Sequence, residues 1–224
     1  MARTANLDVA DLLRRDILDG VFVPGERLVE LTLTRQYAAG RAAVRAALVE
    51  LATEGLIDRA ANRGATVRRI SVDEAVQITE ARAALESLLA AAAAEHATVE
   101  ERAELRILEA RMRDAVDRGD HHAYSDLNGA LHRRVREISR HVVAGELVAM
   151  LRNRSARHQY RLAFMPGRPI ESLEQHAAII RAIDRGDGVA AAEAMTAHLA
   201  SVVEVLRHWG EEAPLPDHIG LASN

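Results

Sequence analysis

The sequence contains no cysteine and no lysine among its 224 residues, so all 29 of its basic residues are arginines. The absence of cysteine excludes disulfide frameworks, zinc ribbons, thiol catalysis and iron–sulfur clusters. The absence of lysine excludes Schiff-base chemistry and a P-loop. Any bound metal ion must therefore be held by nitrogen and oxygen ligands.

Aromatic residues and long apolar runs are also scarce. Aromatic side chains make up 3% of the chain, which argues against a stacking platform for single-stranded nucleic acid. No segment of about 18 uncharged apolar residues is present, and the N-terminal residues lack the apolar run of a signal peptide. The sequence therefore predicts a cytoplasmic protein that does not act at a membrane.

The charge is distributed unevenly along the chain, whose formal net charge is −4. Residues 1–70 carry 11 arginines and 9 acidic residues, whereas residues 71–224 carry 18 arginines and 24 acidic residues. This asymmetry predicts two modules with different partners, of which the N-terminal one is slightly basic.

The first 70 residues show the pattern of a winged helix-turn-helix domain. Apolar spacing predicts three helices, at 7–18, 30–37 and 40–54. Two short strands are predicted at 56–59 and 66–69, on either side of a turn at Asn62-Arg63-Gly64. The order of helix, helix-turn-helix and hairpin is that of a winged helix.

From residue 71 onward the pattern is entirely helical. Capping boxes at Ser71 and Thr98 begin two of the helices. About six helices are predicted, over 73–95, 98–117, 121–139, 143–163, 171–184 and 188–208. The predicted fold is therefore mainly α, with a winged helix-turn-helix and a small β-hairpin wing over 1–70, an all-α bundle over 71–209 and a flexible tail over 210–224.

Two arginines lie where a recognition helix reaches DNA. Arg41 and Arg45 are four residues apart near the start of the second helix of the helix-turn-helix, so both point from one face. In the major groove, arginine binds guanine O6 and N7 through two hydrogen bonds. Two arginines alone are also compatible with a merely solvated surface, but the surrounding order of elements favours contact with DNA.

Three of the ten histidines have suggestive positions, whereas the others are expected at the surface. His132 follows Asn128 by four residues on one helical face. His176 and His198 each lie about 11 residues from the turn at Gly186-Asp187-Gly188, so an antiparallel helix pair brings them to the same height. A single buried histidine is usually an ordinary core residue, but three imidazoles and one oxygen suit Zn²⁺, Ni²⁺ or Mn²⁺.

The N-terminal motifs resemble the winged-helix domain of GntR-type transcription regulators. The segments that carry the resemblance are Pro24-Gly25-Glu26-Arg27-Leu28-Val29-Glu30, Arg41-Ala42-Ala43-Val44-Arg45-Ala46-Ala47-Leu48, Glu54-Gly55-Leu56-Ile57 and Arg63-Gly64-Ala65-Thr66-Val67. The resemblance implies that Arg41 and Arg45 contact bases or adjacent phosphates. It also implies that Arg35 lies near the DNA backbone and that the wing tip at Arg63 and Gly64 enters the minor groove.

Residues 75–205 resemble the FCD-type ligand-binding domain of the FadR subfamily of these regulators. The resemblance rests on Ala81-Arg82-Ala83-Ala84-Leu85-Glu86, on the segment ending Leu131-His132, and on His176 and His198 at the family's spacing. It implies a metal ion held by an aspartate and three histidines, with an effector carboxylate completing the coordination. Asn128 occupies the aspartate position in this chain.

Several arginines are candidates for binding an anionic effector. Arg82 is the first, although an ion pair with Glu86 four residues later is an equally good interpretation. A second and weaker set of candidates for lining the effector site consists of Arg152, Arg154, Arg157 and Arg161.

Together these features predict a homodimeric transcription regulator that binds an inverted repeat in double-stranded DNA and senses a small organic acid with the help of a divalent metal. One alternative is the same class of regulator with a metal-free pocket for an apolar or acyl ligand. A second alternative is a histidine-ligated metalloenzyme. The enzyme is disfavoured because no general base accompanies the histidines and because it would not explain residues 1–70.

Overall fold

The computed structural model describes residues 8–60 and 64–209. Within this part the chain divides between Ile70 and Ser71 into two compact units. The tail predicted over 210–224 lies outside the described residues.

The first unit is a three-helix domain with a small antiparallel sheet. Its elements are α1 (Val9–Leu18), β1 (Arg27–Leu28), α2 (Glu30–Gln36), α3 (Arg41–Thr53), β2 (Ile57–Ala60) and β3 (Gly64–Val67). Strand β3 pairs with both β1 and β2, and Arg27 lies opposite Thr66. The sequence analysis did not predict β1, because a strand of two residues is too short to show an alternating pattern.

The core of this unit fixes how α1, α2 and α3 pack together. Its most deeply buried side chains are Leu13, Ile17, Leu33, Val44, Leu48 and Leu51. Arg14 of α1 donates to both carboxylate oxygens of Glu54, at 2.6 and 2.8 Å, at the end of α3. The hydroxyl of Tyr37 donates to Asp16 at 2.6 Å and joins the end of α2 to α1. These contacts bury one side of α3 and leave its other side exposed.

The second unit is an all-α bundle. Its helices are α4 (Val72–His96), α5 (Val99–Asp117), α6 (His121–Ile138), α7 (Val142–Arg154), α8 (Ala156–Leu162), α9 (Arg168–Asp184) and α10 (Gly188–Trp209). The prediction of a mainly α fold with a winged helix-turn-helix is confirmed.

One predicted helix, at 143–163, is divided in two at Ser155. The Ser155 hydroxyl donates to the carbonyl of Leu151 at 3.3 Å, and Gln159 Nε2 donates to the Ser155 hydroxyl at 2.6 Å and to the carbonyl of Arg152 at 3.0 Å. Such side-chain bonds compete with the helical backbone pattern. The break is therefore associated with a cluster of polar side chains, which the spacing of apolar residues does not reveal.

The first two helices of the bundle begin at hydroxyl caps, as the sequence predicts. Ser71 accepts a hydrogen bond from the backbone N–H of Glu74 at 3.1 Å. Thr98 forms a full capping box with Glu101. The backbone N–H of Glu101 donates to the Thr98 hydroxyl at 3.2 Å, and the backbone N–H of Thr98 donates to the Glu101 carboxylate at 3.1 Å. Each cap satisfies backbone groups that the helix leaves free.

Helix α10 packs against α4 and α9. Among the described helices it is the one whose length and composition would suit a membrane span, over 188–208. Its apolar side chains instead form core contacts, and the buried ones are Ala191, Met195, Leu199, Val202, Val203 and Leu206. The apolar character of α10 is therefore explained by its place in the bundle.

Candidate functional site

The exposed face of α3 carries Arg41 and Arg45. Val44 and Leu48 on the opposite face are buried. The Arg45 side chain is 63% exposed, and its Nε donates to Glu30 at 2.8 Å. An exposed ion pair of this kind contributes little to stability, so the guanidinium is free to exchange Glu30 for a nucleic-acid acceptor.

The other predicted DNA contacts lie in the same unit. Arg35 is exposed in the last turn of α2. Gly64 begins β3 with a φ of +84°, a left-handed conformation that glycine adopts without strain. Arg63 lies outside the described residues. The structure thus brings Arg41 and Arg45 onto one face, with Arg35 on the preceding helix.

Three histidines converge in the interior of the helical unit. Each ring contributes one nitrogen to this cluster, and the three nitrogens lie within 4.8 Å of one another. The rings belong to His132 on α6, His176 on α9 and His198 on α10. The rings of His176 and His198 are 4.4 Å apart between centroids, and the His132 ring is 5.4 Å from each. The α9–α10 hairpin therefore places His176 and His198 at the same level along the two helix axes, and α6 supplies the third ring.

Burial keeps these imidazoles neutral. It lowers the pKa of His132 to about 4, although the neighbouring carboxylate of Glu86 opposes the shift. Burial also holds the pKa values of His176 and His198 well below the ordinary value, and the neighbouring histidines act in the same direction. Neutral imidazole is the form that binds a metal ion.

Glu86 determines which nitrogen of His132 is free. One oxygen of its carboxylate lies 2.5 Å from His132 Nδ1, and the other accepts from Arg82 Nε at 2.7 Å. Burial raises the pKa of Glu86, but Arg82 and His132 outweigh it and hold that pKa well below its usual range. An ionised carboxylate only accepts, so Nδ1 of His132 carries the proton and Nε2 keeps its lone pair.

Arg82 forms the ion pair with Glu86 that was one of its two interpretations, and it also lies beside the histidines. The ion pair is buried, since Arg82 is 2% exposed and Glu86 3%. Arg82 also lines a cavity beside the histidines. It is therefore part of the candidate site and not a surface residue.

Gln175 acts on His198 as Glu86 acts on His132. Its amide oxygen lies 2.9 Å from His198 Nδ1, while its Nε2 donates to Glu171 at 3.1 Å and to Ser201 at 2.9 Å. A carboxylate only accepts, so Glu171 fixes the orientation of the amide. His198 must then donate from Nδ1, which leaves its Nε2 available as a metal ligand.

Two groups of the cluster are buried without a hydrogen-bond partner among the described residues. These are both ring nitrogens of His176 and the side-chain oxygen of Asn128. Asn128 lines the same cavity as His132 and His198. Buried polar atoms are normally paired, so these atoms indicate a bound group, and a set of three nitrogens and one oxygen fits a divalent metal.

The cavity beside the histidines has a volume of about 30 Å³. Its polar lining includes Arg82, Arg152 and Arg168, and its apolar lining consists of Leu162, Ala163, Leu199 and Val202. Of the second group of predicted arginines, Arg152 lines this cavity, whereas Arg154 pairs with Glu74 at 2.8 Å. The side chain of Arg157 lies outside the described part of the chain.

Sequence reasoning missed Gln175 and Arg168, and it considered Glu86 only as a partner of Arg82. The residue types of Gln175 and Arg168 are typical of exposed helix positions, and no motif marks them. Their roles follow from packing across helices.

Comparison with known proteins identifies the two units. Residues 5–67 match the gntR family of bacterial regulatory proteins, and residues 77–201 match the FCD domain. The chain is 28% identical over 207 residues to the HTH-type transcriptional repressor RspR of Escherichia coli (strain K12), covering 92% of this chain and 91% of that protein. It is 26% identical over 212 residues to a probable D-xylose utilization operon transcriptional repressor of Paenarthrobacter nicotinovorans, with coverage of 92% and 90%.

Solved structures support the same fold. Escherichia coli McbR/YncC superposes with a TM-score of 0.76 at 22% identity, covering 90% of this chain and 96% of that one. A GntR regulator from Rhodococcus sp. RHA1 gives a TM-score of 0.68 at 20% identity, with coverage of 90% and 97%. The chain therefore belongs to the GntR family of bacterial regulatory proteins, with a C-terminal FCD domain, and is a DNA-binding transcription regulator and not an enzyme.

Proposed function

We propose that this protein is a homodimeric, cytoplasmic repressor whose affinity for an inverted-repeat operator is controlled by a small organic acid. The acid binds in the helical unit together with a divalent metal ion. The observation that carries the proposal is the convergence of three buried neutral histidines beside a cavity lined by arginines. Relatives named as repressors support repression.

The DNA-binding half of the proposal rests on the exposed face of α3. Arg41 and Arg45 enter the major groove, where each bidentate contact to guanine contributes roughly 1 to 3 kcal/mol of discrimination. Arg35 binds the phosphate backbone, and the wing tip at Arg63 and Gly64 reaches the minor groove. A two-fold dimer presents two such surfaces, so its operator is an inverted repeat.

The metal-binding half rests on the donor set. His132 and His198 offer Nε2, because Glu86 and Gln175 occupy their Nδ1 atoms. His176 and Asn128 contribute donors that have no other partner in the described residues. When bound, Zn²⁺, Ni²⁺ or Mn²⁺ supplies positive charge to which an effector carboxylate can coordinate.

A metal-free pocket for an apolar or acyl ligand is the second candidate. Leu162, Leu199 and Val202 favour it, because they give one side of the cavity an apolar lining. The three arginines of the lining favour an anion, because they outnumber the two carboxylates, Glu86 and Glu171, that lie close to them. The acidic effector therefore accounts for more of the lining than the apolar one does.

The proposal is tested with full-length protein prepared in chelated and reloaded forms. We expect elemental analysis to find about one metal ion per chain after reloading and sedimentation to give a dimer. We also expect selection from random duplex DNA to recover an inverted repeat. A panel of small carboxylic acids should weaken operator binding by the reloaded protein more than by the chelated protein.

Two results would contradict the metal-assisted version. The first is no metal above background after reloading. The second is an effector response that is the same in the parent protein and in His132→Ala. Release from the operator by acyl compounds, and not by short acids, would instead favour the metal-free pocket.

A further inference from the structure

The arginines of the cavity outnumber the carboxylates that compensate them. Arg82, Arg152 and Arg168 line it, and none of the described residues in its lining is acidic. Glu86, just behind the lining, accepts from Arg82 at 2.7 Å and lies 3.9 Å from Arg152. Burial, together with the charge of Arg82, lowers the pKa of Arg152 to about 9, although the carboxylate of Glu86 opposes the shift.

Arg168, which lines this cavity, has one terminal nitrogen without a partner among the described residues. Its side chain is 5% exposed, and one terminal nitrogen, Nη1, donates to Ser201 at 2.7 Å and lies 3.1 Å from the Glu171 carboxylate. The other terminal nitrogen, Nη2, is buried and has no hydrogen-bond partner among the described residues. Leaving buried N–H groups of a charged side chain unpaired is costly, so Nη2 is an empty position for an anionic acceptor.

Arg168 and His176 occupy different positions along α9. Arg168 is the first residue of the helix, eight residues before His176, which places their backbones about 12 Å apart along the helix axis. Leu162, Leu199 and Val202 line the same cavity. The cavity lining therefore combines buried arginines with apolar side chains.

We infer that the effector is a short-chain dicarboxylate, one carboxylate of which binds at the histidine centre while the other binds Nη2 of Arg168. This inference rests on the proposed function and specifies its effector. The methylene groups between the two acids match the apolar lining. The second carboxylate accepts from Nη2 of Arg168, which has no hydrogen-bond partner among the described residues.

The experiment compares acids that differ by one charge. Calorimetry and thermal shift on metal-loaded full-length protein use succinate, glutarate and adipate against butyrate and valerate. The variant Arg168→Gln removes the charge, and Arg181→Gln, an exposed arginine on the same helix, is the matched control. Glycerol 3-phosphate is included because a phosphate ester carries two charges on one group.

We expect the best dicarboxylate to bind the parent and Arg181→Gln about tenfold or more tightly than a monocarboxylate of matched length, which is the scale of one hydrogen bond to a charged group. In Arg168→Gln that advantage should disappear while monocarboxylate binding is retained. If Arg168→Gln does not fold, Arg168→Lys takes its place. Lysine keeps the charge but cannot reproduce the planar guanidinium, so the ratio of diacid to monoacid affinity should be lower in Arg168→Lys than in the parent.

Three outcomes would overturn the inference. Equal binding of mono- and dicarboxylates, unchanged in Arg168→Gln, would reject the second anchor and leave the organic-acid sensor intact. Tighter binding of glycerol 3-phosphate than of any dicarboxylate would assign the cavity to a phosphate ester. Absence of binding by every acid would overturn the proposed effector class together with the inference.

Discussion

Nδ1 of His132 lies 2.5 Å from the carboxylate of Glu86, and both side chains are almost fully buried. This pair places a negative charge directly behind a candidate metal ligand. The candidate ligand set itself contains no carboxylate, because Asn128 stands where an aspartate would supply one. With a metal ion bound at this site, Glu86 would supply, through His132, charge compensation that the candidate ligands lack.

The first prediction concerns this outer carboxylate. Glu86→Gln removes the negative charge, and we expect metal affinity to fall roughly 10- to 100-fold, the usual effect of losing such a partner. Competition with a chromophoric chelator measures it. The matched control is Glu80→Gln on the same helix, where the carboxylate is exposed and pairs with Arg207. Equal affinities in the two variants would show that Glu86 serves only to neutralise Arg82.

The second prediction concerns Asn128. Asn128→Asp adds a carboxylate at a buried position whose amide oxygen has no partner. We expect metal affinity to rise about tenfold, equivalent to about 1.4 kcal/mol, because a charged oxygen compensates a divalent ion better than an amide does.

The same substitution should destabilise the chelated protein, since it adds a buried charge without its counter-ion. Thermal melts with and without metal measure both effects. A variant that binds metal no better than the parent would place Asn128 outside the coordination sphere.

The third prediction concerns Arg45 and its partner Glu30. Arg45→Ala should cost roughly 1 to 3 kcal/mol of operator affinity while changing unfolding free energy by less than about 0.5 kcal/mol, because the side chain is exposed. Glu30→Gln should hold or raise operator affinity, since it releases Arg45 from its 2.8 Å ion pair.

Gel-shift titration at fixed salt measures both variants. Arg15→Ala, an exposed arginine of α1, is the control for general loss of positive charge. If Arg45→Ala and Arg15→Ala weaken binding equally, Arg45 contributes only general electrostatic attraction.

The fourth prediction concerns the pH dependence of stability through Glu101. Burial raises the pKa of this carboxyl, but the backbone N–H of Thr98 and the guanidinium groups of Arg140 and Arg134 outweigh burial and lower it. A lowered pKa in the folded state means that the stabilisation is present above about pH 4.3, the usual value for glutamate, and is lost as pH falls through the folded value.

Glu101→Gln keeps an oxygen acceptor for Thr98 but removes the charge. We expect it to lower the free energy of unfolding by roughly 1.5 to 3 kcal/mol at pH 7, the range for hydrogen bonds to charged groups. The difference from the parent should shrink as pH falls below about 4.3. Urea unfolding at several pH values measures it, and a difference that does not change with pH would contradict the assignment.

Local patterns in the sequence were sufficient to predict the winged helix and most helices of the bundle. Thr98 and Glu101 form their capping box because both groups lie within one turn of helix. The alignment of His176 with His198 follows from counting to one tight turn. In each case the interacting residues are close in sequence or joined by a short connection, so spacing alone determines the geometry.

The sequence by itself was sufficient to identify the family, and residue type and spacing alone named the four candidate metal ligands, Asn128, His132, His176 and His198. Only the tertiary structure decided that Glu86 is buried against His132, that Gln175 orients His198, and that Arg168 has an unpaired nitrogen in the cavity. The physical reason is that burial, tautomer and charge balance depend on side chains from several helices at once. No single helix carries that information in its own periodicity.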